Sequence, residues 1–426
     1  MDTNITEKNS YTREIKVTVP WVELEPSFER FVNQFRKSIK LPGFRKGKIP
    51  RKMLFQRFKP SMEAEFAQDA LEEFFIKALD DKNITPINQA SIQNLDFHYD
   101  SPLTFSAEFE VEPEVELPNY KKKFKIKRDI YIPDEEDIDI YIRELQQQSA
   151  ELRTVDSGSR DGHLLLVDLQ ELDQTGVPII GNRVKDRYIK VGEGMFGGEN
   201  LDRLTGLKAG ESTTIHIESK GAPDKTPYKV DVKNVQEELL PEVNEEFIRE
   251  NDPDASNLSE FRKNILSIIQ TKLDADAKGK FEENLIDHFI QNTTLEVPPS
   301  MVENYLDDLV ENANKQQWEN FDEKEYRDRI KPSTIRNMKW YLIRKALISS
   351  TELNISEEEV TAKVSDLVQG VSENKRELER FYKKPSNRKR LQENLLDDKL
   401  MDYLTEFVKE QKNKIYTKDI RKLQQG

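Results

Sequence analysis

Glycine is distributed so unevenly along this chain of 426 residues that it divides the sequence by fold class. Eleven of the 16 glycines lie between residues 150 and 240, and only three follow that segment. Glycine is favoured in turns and is unfavourable inside helices. The segment 150–240 is therefore expected to be rich in strands and tight turns, and the chain from residue 241 to its end is expected to be almost wholly helical.

Local patterns refine this division. Within the glycine-rich segment, runs of β-branched and aromatic residues predict strands at 164–169, 188–191, 213–217 and 228–235, with a short helix at 199–207. In the helical segment, prolines followed by Ser or Thr predict helix starts at 297–300 and 331–334. A last helix is predicted from the apolar residues between Leu395 and Val408.

The first 112 residues carry a pattern that predicts a small α+β domain. Residues 15–19 alternate apolar and polar side chains, as in a half-buried strand. Apolar periodicity then predicts two helices and two further strands, at residues 26–39, 60–81, 92–97 and 103–111.

Two prolines and four glutamates between Glu110 and Pro118 mark an extended connector after this domain. A strand at 124–132 and a helix that begins near Asp134 are expected to follow it. The sequence thus predicts four parts, at residues 1–112, 113–149, 150–240 and 241–426.

Composition sets the class of protein. Charged residues make up 34% of the chain and apolar residues 36%, so much of the surface is solvated and an elongated, multidomain α+β protein is expected. A net charge of −14 excludes nucleic-acid binding over the whole surface. The chain has no Cys, as suits a reducing cytosol, and no apolar run long enough for a membrane span, so a soluble cytoplasmic protein is expected.

One segment reverses the charge of the chain. Between Arg36 and Lys59 there are ten cations and no Asp or Glu. Clustered Lys and Arg attract phosphate at long range, and an exposed aromatic side chain among them adds a short-range anchor. The alternative interpretation is an ordinary solvated basic loop.

The centre of this segment is predicted to be a short loop between two helices. Pro42 and Gly43 end the first helix, Gly47 permits a positive φ, and Pro50 opens the next helix. The residues expected at the tip are Phe44, Arg45 and Lys46.

The run Gly43-Phe-Arg-Lys-Gly-Lys-Ile-Pro50 resembles the ribosome-docking signature of the trigger factor family, Gly-Phe-Arg-x-Gly-x-x-Pro, at every fixed position. The segments 109–117 and 240–247 are similar to that family's connector and return segment. The resemblance implies that residues 1–112 bind the ribosome, through Gly43, Phe44, Arg45, Lys46, Gly47, Lys48 and Pro50. It also implies an FKBP-like domain at 150–240, inserted into a helical chaperone body that holds nascent polypeptides.

The implied FKBP-like domain raises the question of prolyl isomerase activity. Enzymes of the FKBP family turn prolyl bonds in an aromatic pocket whose apolar walls desolvate the amide, without an acid, a base or a metal. The scaffold resemblance lies in residues 165–169, 189–194 and 204–211.

The aromatic residues of that pocket are mostly replaced. The family's Ile-Pro-Gly-Phe turn reads here as Gly197-Gly-Glu-Asn200, and the loop that supplies a Tyr is shortened at 219–227. The positions of this degenerate pocket are Leu169, Ile179, Arg187, Asn200 and Tyr228, and of these only Tyr228, on the final strand, matches an aromatic position of the family. Activity is therefore predicted to be weak or absent, with no catalytic residue assigned; the alternative is an active isomerase whose pocket uses other residues.

The helical segment has scattered apolar residues framed by charge, which a holding chaperone needs in order to expose them without aggregating. The alternative is that each helix buries its apolar stripe against a neighbour. The candidate client-binding residues are Met301, Val302, Tyr305, Leu309, Trp318, Phe321, Tyr326, Met338 and Tyr341.

Other chemistry finds little support in the sequence. The four histidines lie far apart, so no metal site is expected, and the absence of a Walker sequence predicts action without ATP or any other cofactor. The expected partners are the large ribosomal subunit near the exit tunnel (protein and rRNA), unfolded or nascent polypeptides, and a second copy of the chain when it is free; no membrane partner is expected.

Three hypotheses of different class remain open. The first is a ribosome-docked holding protein, and the second is a soluble prolyl isomerase with a helical extension. The third is a free RNA-binding protein, which would bind naked RNA as tightly as whole ribosomes.

Overall fold

The computed structural model describes residues 1–42, 44–45, 47–218, 225–315, 321–370 and 374–424. The chain divides into two compact units. The first comprises Met1–Lys127 and Phe281–Gln411, and the second comprises Arg128–Lys280 and Lys412–Gly426. The four-part division drawn from the sequence stays a prediction beside this two-unit division.

The N-terminal part is an antiparallel sheet packed against two helices. Strands β1 (Asp2–Glu7), β2 (Thr12–Val19), β3 (Ser91–Asp96) and β4 (Leu103–Glu110) pair in the order β1-β2-β4-β3. Helices α1 (Trp21–Ser38) and α2 (Arg51–Lys82) supply the other side of the core. The predicted alternation is confirmed at Ile15, Val17 and Val19, which are all at most 1% exposed.

Helix α2 begins nine residues before the predicted start, at Arg51, and Pro60 lies inside it. Proline is favoured at a first turn, which made Pro60 a plausible start. The turns before it are held by tertiary packing, since Leu54 is fully buried, and this packing outweighs the hydrogen bond that proline removes. Ile76, an apolar residue of α2, is 53% exposed.

The connector leads into strand β5 (Phe124–Ile132) and helix α3 (Glu135–Gln148), both as predicted. Asp134 caps α3, because its carboxylate accepts hydrogen bonds from the backbone N–H groups of Glu136 and Asp137 at 3.1 and 3.3 Å. The apolar face of α3, which includes Ile138 and Ile142, packs in a small core within the second unit.

The middle of the chain forms a five-stranded antiparallel sheet. Its strands are β6 (Glu151–Thr154), β7 (Leu164–Leu172), β8 (Pro178–Lys190), β9 (Ser212–Ile217) and β10 (Thr226–Leu239). The order is β6-β10-β7-β8, with β9 also paired to β10, and a short helix α4 (Glu199–Leu204) covers one side. All four predicted strands are present, whereas β6 was not predicted.

The rest of the described chain is mainly helical. Its elements are α5 (Glu245–Asn251), α6 (Leu258–Asn292), α7 (Pro299–Lys315), α8 (Glu323–Thr351), α9 (Glu357–Gln369), α10 (Lys375–Tyr382), α11 (Pro385–Thr405), strand β11 (Val408–Tyr416) and α12 (Thr417–Gln424). None of the helices in the described ranges combines the length and apolar character that a bilayer span requires.

Two predictions in this region were wrong. The helix start predicted at residues 331–334 lies inside α8, which instead begins after Asp322, whose side chain accepts a hydrogen bond from the backbone of Glu325 at 3.0 Å. Val408, predicted as part of the last helix, is the first residue of β11, because that segment pairs with β5 in a two-stranded sheet.

The predicted connector is packed and not free. Val115 and Leu117 lie against the core of the helical region, where Tyr120 is buried beside Phe289 with ring centroids 5.8 Å apart. Glu110 accepts a hydrogen bond from the backbone N–H of Ser300 at 3.0 Å. The segment between the N-terminal sheet and the helical region is therefore fixed at both ends and in its middle.

Candidate functional site

The loop between α1 and α2 has a buried base and an exposed tip. Leu41 and Ile49 are 7% and 1% exposed and belong to the N-terminal core, whereas the ring of Phe44 is 38% exposed. Two turns shape the tip, through hydrogen bonds from Phe44 N–H to the Leu41 carbonyl at 3.1 Å and from Lys48 N–H to the Arg45 carbonyl at 2.9 Å. Gly47 adopts the predicted positive φ of +77°. Gly43 and Lys46 lie outside the described residues.

An ion pair closes the base of this loop. The two terminal nitrogens of the Arg51 guanidinium, Nη1 and Nη2, donate to the Glu29 carboxylate at 2.6 and 2.5 Å. They join the start of α2 to α1. These hydrogen bonds lower the pKa of Glu29 and raise that of Arg51. The Arg51 guanidinium also lies 5.2 Å from the centroid of the Phe55 ring.

Most of the cations described around the tip are exposed and have no acidic partner in the described chain. Of the ten, Arg51 is paired with Glu29, and Lys59 lies 3.7 Å from Glu63. Six others are exposed and have no acidic partner within the described part of the chain: Lys37, Lys40, Arg45, Lys48, Lys52 and Arg57. Their charges therefore add to a positive potential around Phe44 that is not neutralised locally.

In the middle sheet, three of the five degenerate pocket positions share one face. Leu169 pairs with Val230, two residues from Tyr228, and Arg187 pairs with the core residue Val167. Leu169 and Tyr228 lie at the edge of the domain core. Arg187 is exposed, and Ile179 is half-buried at the start of β8. The domain thus brings some of these positions to one face but does not assemble them into an aromatic wall.

Asn200 has a structural role that the sequence did not indicate. It is 6% exposed, and its amide nitrogen donates to the carbonyls of Met195 and His216 at 2.9 and 2.8 Å, while its oxygen accepts from the His216 N–H at 3.0 Å. The side chain therefore joins α4 to β9. An isolated Asn gives no sequence signal for such a bridge.

A cavity of about 440 Å³ lies next to this bridge, and half of its described lining residues are polar or charged. Lys225 lies 3.2 Å from Glu199 and 3.7 Å from Glu218, and all three of these residues line the cavity. The described lining residues are Gly194, Met195, Gly197, Gly198, Glu199, Asn200, His216, Ile217, Glu218 and Lys225. Prolyl isomerisation in an aromatic pocket requires a different lining.

The candidate client-binding residues divide by exposure. Tyr341 on α8 is 45% exposed, and Met301, Tyr305, Leu309, Phe321, Tyr326 and Met338 are half-buried. Val302 is 5% exposed and belongs with Leu306 to the buried stripe of α7, so the structure contradicts its place among accessible residues. Trp318 lies outside the described residues.

Two family models match parts of the chain. Residues 1–145 match the family model of the bacterial trigger factor protein, and residues 257–406 match the model of its C-terminus. The chain belongs to the trigger factor family. The resemblance carried by residues 43–50 is thereby confirmed.

Curated relatives named trigger factor cover most of the chain. The protein of Desulfotalea psychrophila is 27% identical over 320 residues, which span 73% of this chain and 71% of the relative. Those of Geobacter metallireducens and Salinibacter ruber are 24% and 26% identical, and each alignment covers 95% of this chain. The alignments cover 97% and 93% of those two relatives.

A solved trigger factor structure, described for promiscuous substrate recognition in folding and assembly, matches in fold. It has a TM-score of 0.52 and 18% identity, and the match covers 95% of this chain and 99% of that one. The predicted fold class is confirmed: an N-terminal α+β part, a β-rich middle and a helical C-terminal region, which here also contains β11.

Membership of the family confirms the predicted main function of this trigger factor. It is a ribosome-associated chaperone that assists protein folding, and its partners are the ribosome and nascent chains.

Proposed function

We propose that the loop of residues 41–50 attaches this trigger factor to the large ribosomal subunit near the exit tunnel, through contacts with both protein and rRNA. The observation that carries the proposal is Phe44, 38% exposed at the tip of a cationic loop whose ends, Leu41 and Ile49, are buried. The residues assigned to docking are Gly43, Phe44, Arg45, Lys46, Gly47, Lys48 and Pro50.

The geometry suits such an attachment for two reasons. The unpaired cations steer the loop toward phosphate and strengthen the encounter at low salt. The buried base and the Glu29–Arg51 pair hold the loop in one arrangement before binding, so little conformational entropy is lost when Phe44 is covered.

Ribosome cosedimentation tests this proposal. Replacing Phe44, Arg45 and Lys46 by Ala should abolish association with ribosomes while circular dichroism stays unchanged. The matched control replaces the three exposed lysines Lys121, Lys122 and Lys123 by Ala and should sediment with ribosomes as the wild type does. Wild-type binding by the loop variant would favour a soluble isomerase instead. Equal affinity for naked RNA and for ribosomes would favour a free RNA-binding protein.

We further propose that the helical region holds nascent polypeptides without ATP. Its accessible apolar side chains are dispersed among charges, as an empty holding surface must be to stay soluble. Tyr341, for example, lies four residues from Lys345, which is paired with Glu112 at 2.7 Å. The candidate residues are Met301, Tyr305, Leu309, Phe321, Tyr326, Met338 and Tyr341.

Suppression of aggregation of a denatured model protein tests this holding surface. Tyr341→Ser should reduce the suppression. Tyr416→Ser, a control at a similarly exposed tyrosine of β11, should not. Equal effects of the two changes would remove Tyr341 from the proposal.

For the middle domain we propose weak or absent prolyl isomerase activity and a role in binding or spacing. The charged lining of its cavity and the exposed Arg187 support this proposal. A protease-coupled assay on a prolyl peptide is expected to show little rate enhancement. Robust catalysis would instead support the alternative, an active isomerase with a differently built pocket.

Three further properties complete the proposal: the division at residues 1–112, 113–149, 150–240 and 241–426, a cytoplasmic location, and a homodimer when the protein is free of ribosomes. The exposed apolar residues of the helical region would be covered in a dimer, which supports self-association. Sedimentation velocity over a range of protein concentrations tests the dimer, and a single monomeric species throughout would exclude it.

A further inference from the structure

A second cationic surface lies where α10 meets α11. Between Lys375 and Arg390 the chain has eight Lys or Arg residues and only two acidic ones, Glu377 and Glu379. Because the chain as a whole carries a net charge of −14, a cluster of positive charge within 16 residues does not increase its solubility. We refer to residues 375–390 as the α10–α11 surface.

Most of this charge is unpaired. Arg388 donates to Glu357 at 2.8 Å and also to the hydroxyl of Thr361. Within the described ranges the other seven cations have no acidic partner, and all seven are exposed: Lys375, Arg376, Arg380, Lys383, Lys384, Lys389 and Arg390. They are therefore available to an external anion.

Their placement also opposes helix stability. Lys375 and Arg376 occupy the first turn of α10 together with one acidic residue, Glu377, whereas Lys384 is the N-cap residue of α11, whose first turn has no acidic side chain. A helix N-terminus carries partial positive charge, so cations there are unfavourable for the helix itself. The same arrangement adds the helix dipoles to the side-chain charges and increases the attraction for an anion.

An aromatic side chain is held among these cations. Phe381 is 50% exposed, and its ring packs edge-on against that of Tyr382, with centroids 5.1 Å apart and an interplanar angle of 89°. Tyr382 is half-buried against the small core of α9 and α11. The amide of Asn387 donates to the Phe381 carbonyl at 2.7 Å and fixes the turn between the helices. The Phe381 ring is thus exposed, is supported by the Tyr382 ring, and is close in sequence to Arg380, Lys383 and Lys384.

We propose that the α10–α11 surface binds single-stranded RNA, with its cations on the phosphates and the Phe381 ring stacked on a base. Cations alone would serve any polyanion, but an exposed ring within the cationic cluster adds the stacking surface that unpaired bases use. The guanidinium groups of Arg376, Arg380 and Arg390 can bind phosphate in bidentate fashion. An open cavity of about 590 Å³ beside α10 has room for a phosphate next to three cations and one carboxylate; its lining residues are Asn374, Lys375, Arg376, Glu377 and Arg380.

Fluorescence anisotropy with a labelled single-stranded oligouridine tests the proposal on the full chain. The test variant is R380E/K383E/K384E, and the matched control is K121E/K122E/K123E, which changes the net charge equally at three other exposed cations. The test variant should bind at least roughly tenfold more weakly and show a shallower dependence on salt, by about two in the logarithmic slope, whereas the control should stay within about threefold of wild type. Equal weakening by the control would overturn the proposal.

A second variant separates stacking from charge. F381A should weaken binding by roughly tenfold, and F381W should restore it, because stacking on an aromatic ring is lost in the first and kept in the second. Unchanged binding by F381A would overturn the assignment of the ring. Competition by poly-glutamate as effective as by RNA would identify the partner as an acidic polypeptide and overturn the proposal.

A third comparison distinguishes RNA binding at the α10–α11 surface from RNA binding at the loop of residues 41–50. F44A/R45A should leave binding of the oligouridine to the α10–α11 surface measurable, and adding R380E/K383E/K384E should remove it. Complete loss in F44A/R45A alone would assign the RNA to the loop and overturn the proposal. Cosedimentation with ribosomes, which tests the docking loop, is a separate measurement and can fail or succeed independently.

Discussion

Asn200 and His216 are joined by two hydrogen bonds, since the Asn200 amide donates to the His216 carbonyl at 2.8 Å and accepts from its backbone N–H at 3.0 Å. Both backbone groups of His216 lose these partners in Asn200→Ala. Leaving buried polar groups unsatisfied should reduce the local stability of the middle domain by about 1–3 kcal/mol. Faster hydrogen exchange of the β9 amides under native conditions would measure this loss.

Asn182→Ala is the matched control for that change. Asn182 is exposed, and its side chain donates to Glu171 at 2.9 Å. Its removal should change the free energy of opening, measured by hydrogen exchange in the middle domain, by less than about 0.5 kcal/mol. Equal effects of the two substitutions would mean that the Asn200 bridge contributes no more to stability than the exposed Asn182 hydrogen bond.

In the loop of residues 41–50, effects on the stability of the fold can be separated from effects on ribosome binding. Ile49, 1% exposed, leaves a cavity when it is replaced by Ala, and the N-terminal part should lose about 2–5 kcal/mol. Phe44→Ala, at an exposed ring, should cost less than about 0.5 kcal/mol. Hydrogen exchange of α1 and α2 distinguishes the two, and a large loss in Phe44→Ala would show that the ring supports the fold.

Asp168 makes the middle domain sensitive to acid. Its carboxylate accepts from Lys233 Nζ at 2.6 Å, from the Asp186 N–H at 3.0 Å and from Arg183 at 2.8 Å, and these contacts hold its pKa well below the ordinary 3.8. A lowered pKa means that the ionised form stabilises the fold above about pH 4 and that this contribution is lost as the pH falls further.

Asp168→Asn should therefore unfold at lower urea concentration than wild type at pH 7, and the difference should shrink at pH 3. Asp254→Asn, at an exposed position, is the control and should show no such change with pH. A difference between Asp168→Asn and wild type that persists unchanged at pH 3 would rule out the charge as its cause.

Arg421 fastens the C-terminal helix α12 to the start of α3. Its guanidinium donates to Asp134 at 2.7 and 2.9 Å and to Glu136 at 2.8 Å, and it also contacts Asp137. Because a lysine cannot reproduce the planar, multi-donor geometry, both Arg421→Ala and Arg421→Lys should increase hydrogen exchange in α12, the first more than the second. Protection equal to wild type in Arg421→Ala would show that α12 is held by other contacts.

Periodicity and punctuation were sufficient to predict most elements where local and tertiary preferences agree. Strand β5 has the predicted limits, helix α3 has the predicted start, and the alternation at residues 15–19 gave the correct buried face. The failures occur at prolines and at strand pairing. Pro60 and Pro332 lie inside helices because the turns before them are held by other contacts, and β11 forms only because β5 is beside it.

The candidate sites were predictable to different degrees. The loop of residues 41–50 could be predicted because its charge and its motif are contiguous in sequence. Its exposure followed from its position between two predicted helices. The bridge at Asn200 depends on a partner 16 residues away, and no local pattern reports it. The α10–α11 surface could have been found by counting charges between residues 375 and 390, but the backing of Phe381 by Tyr382 needed the structure.

The packed connector has a mechanical consequence. Glu110 accepts a hydrogen bond from Ser300, Glu112 is paired with Lys345, and Tyr120 is buried in the helical core. The segment therefore cannot extend without breaking these contacts. In the proposed attachment through residues 41–50, a loose connector would let the helical region move independently of the N-terminal sheet. The packed connector instead couples the orientation of α7 and α8 to that of the sheet.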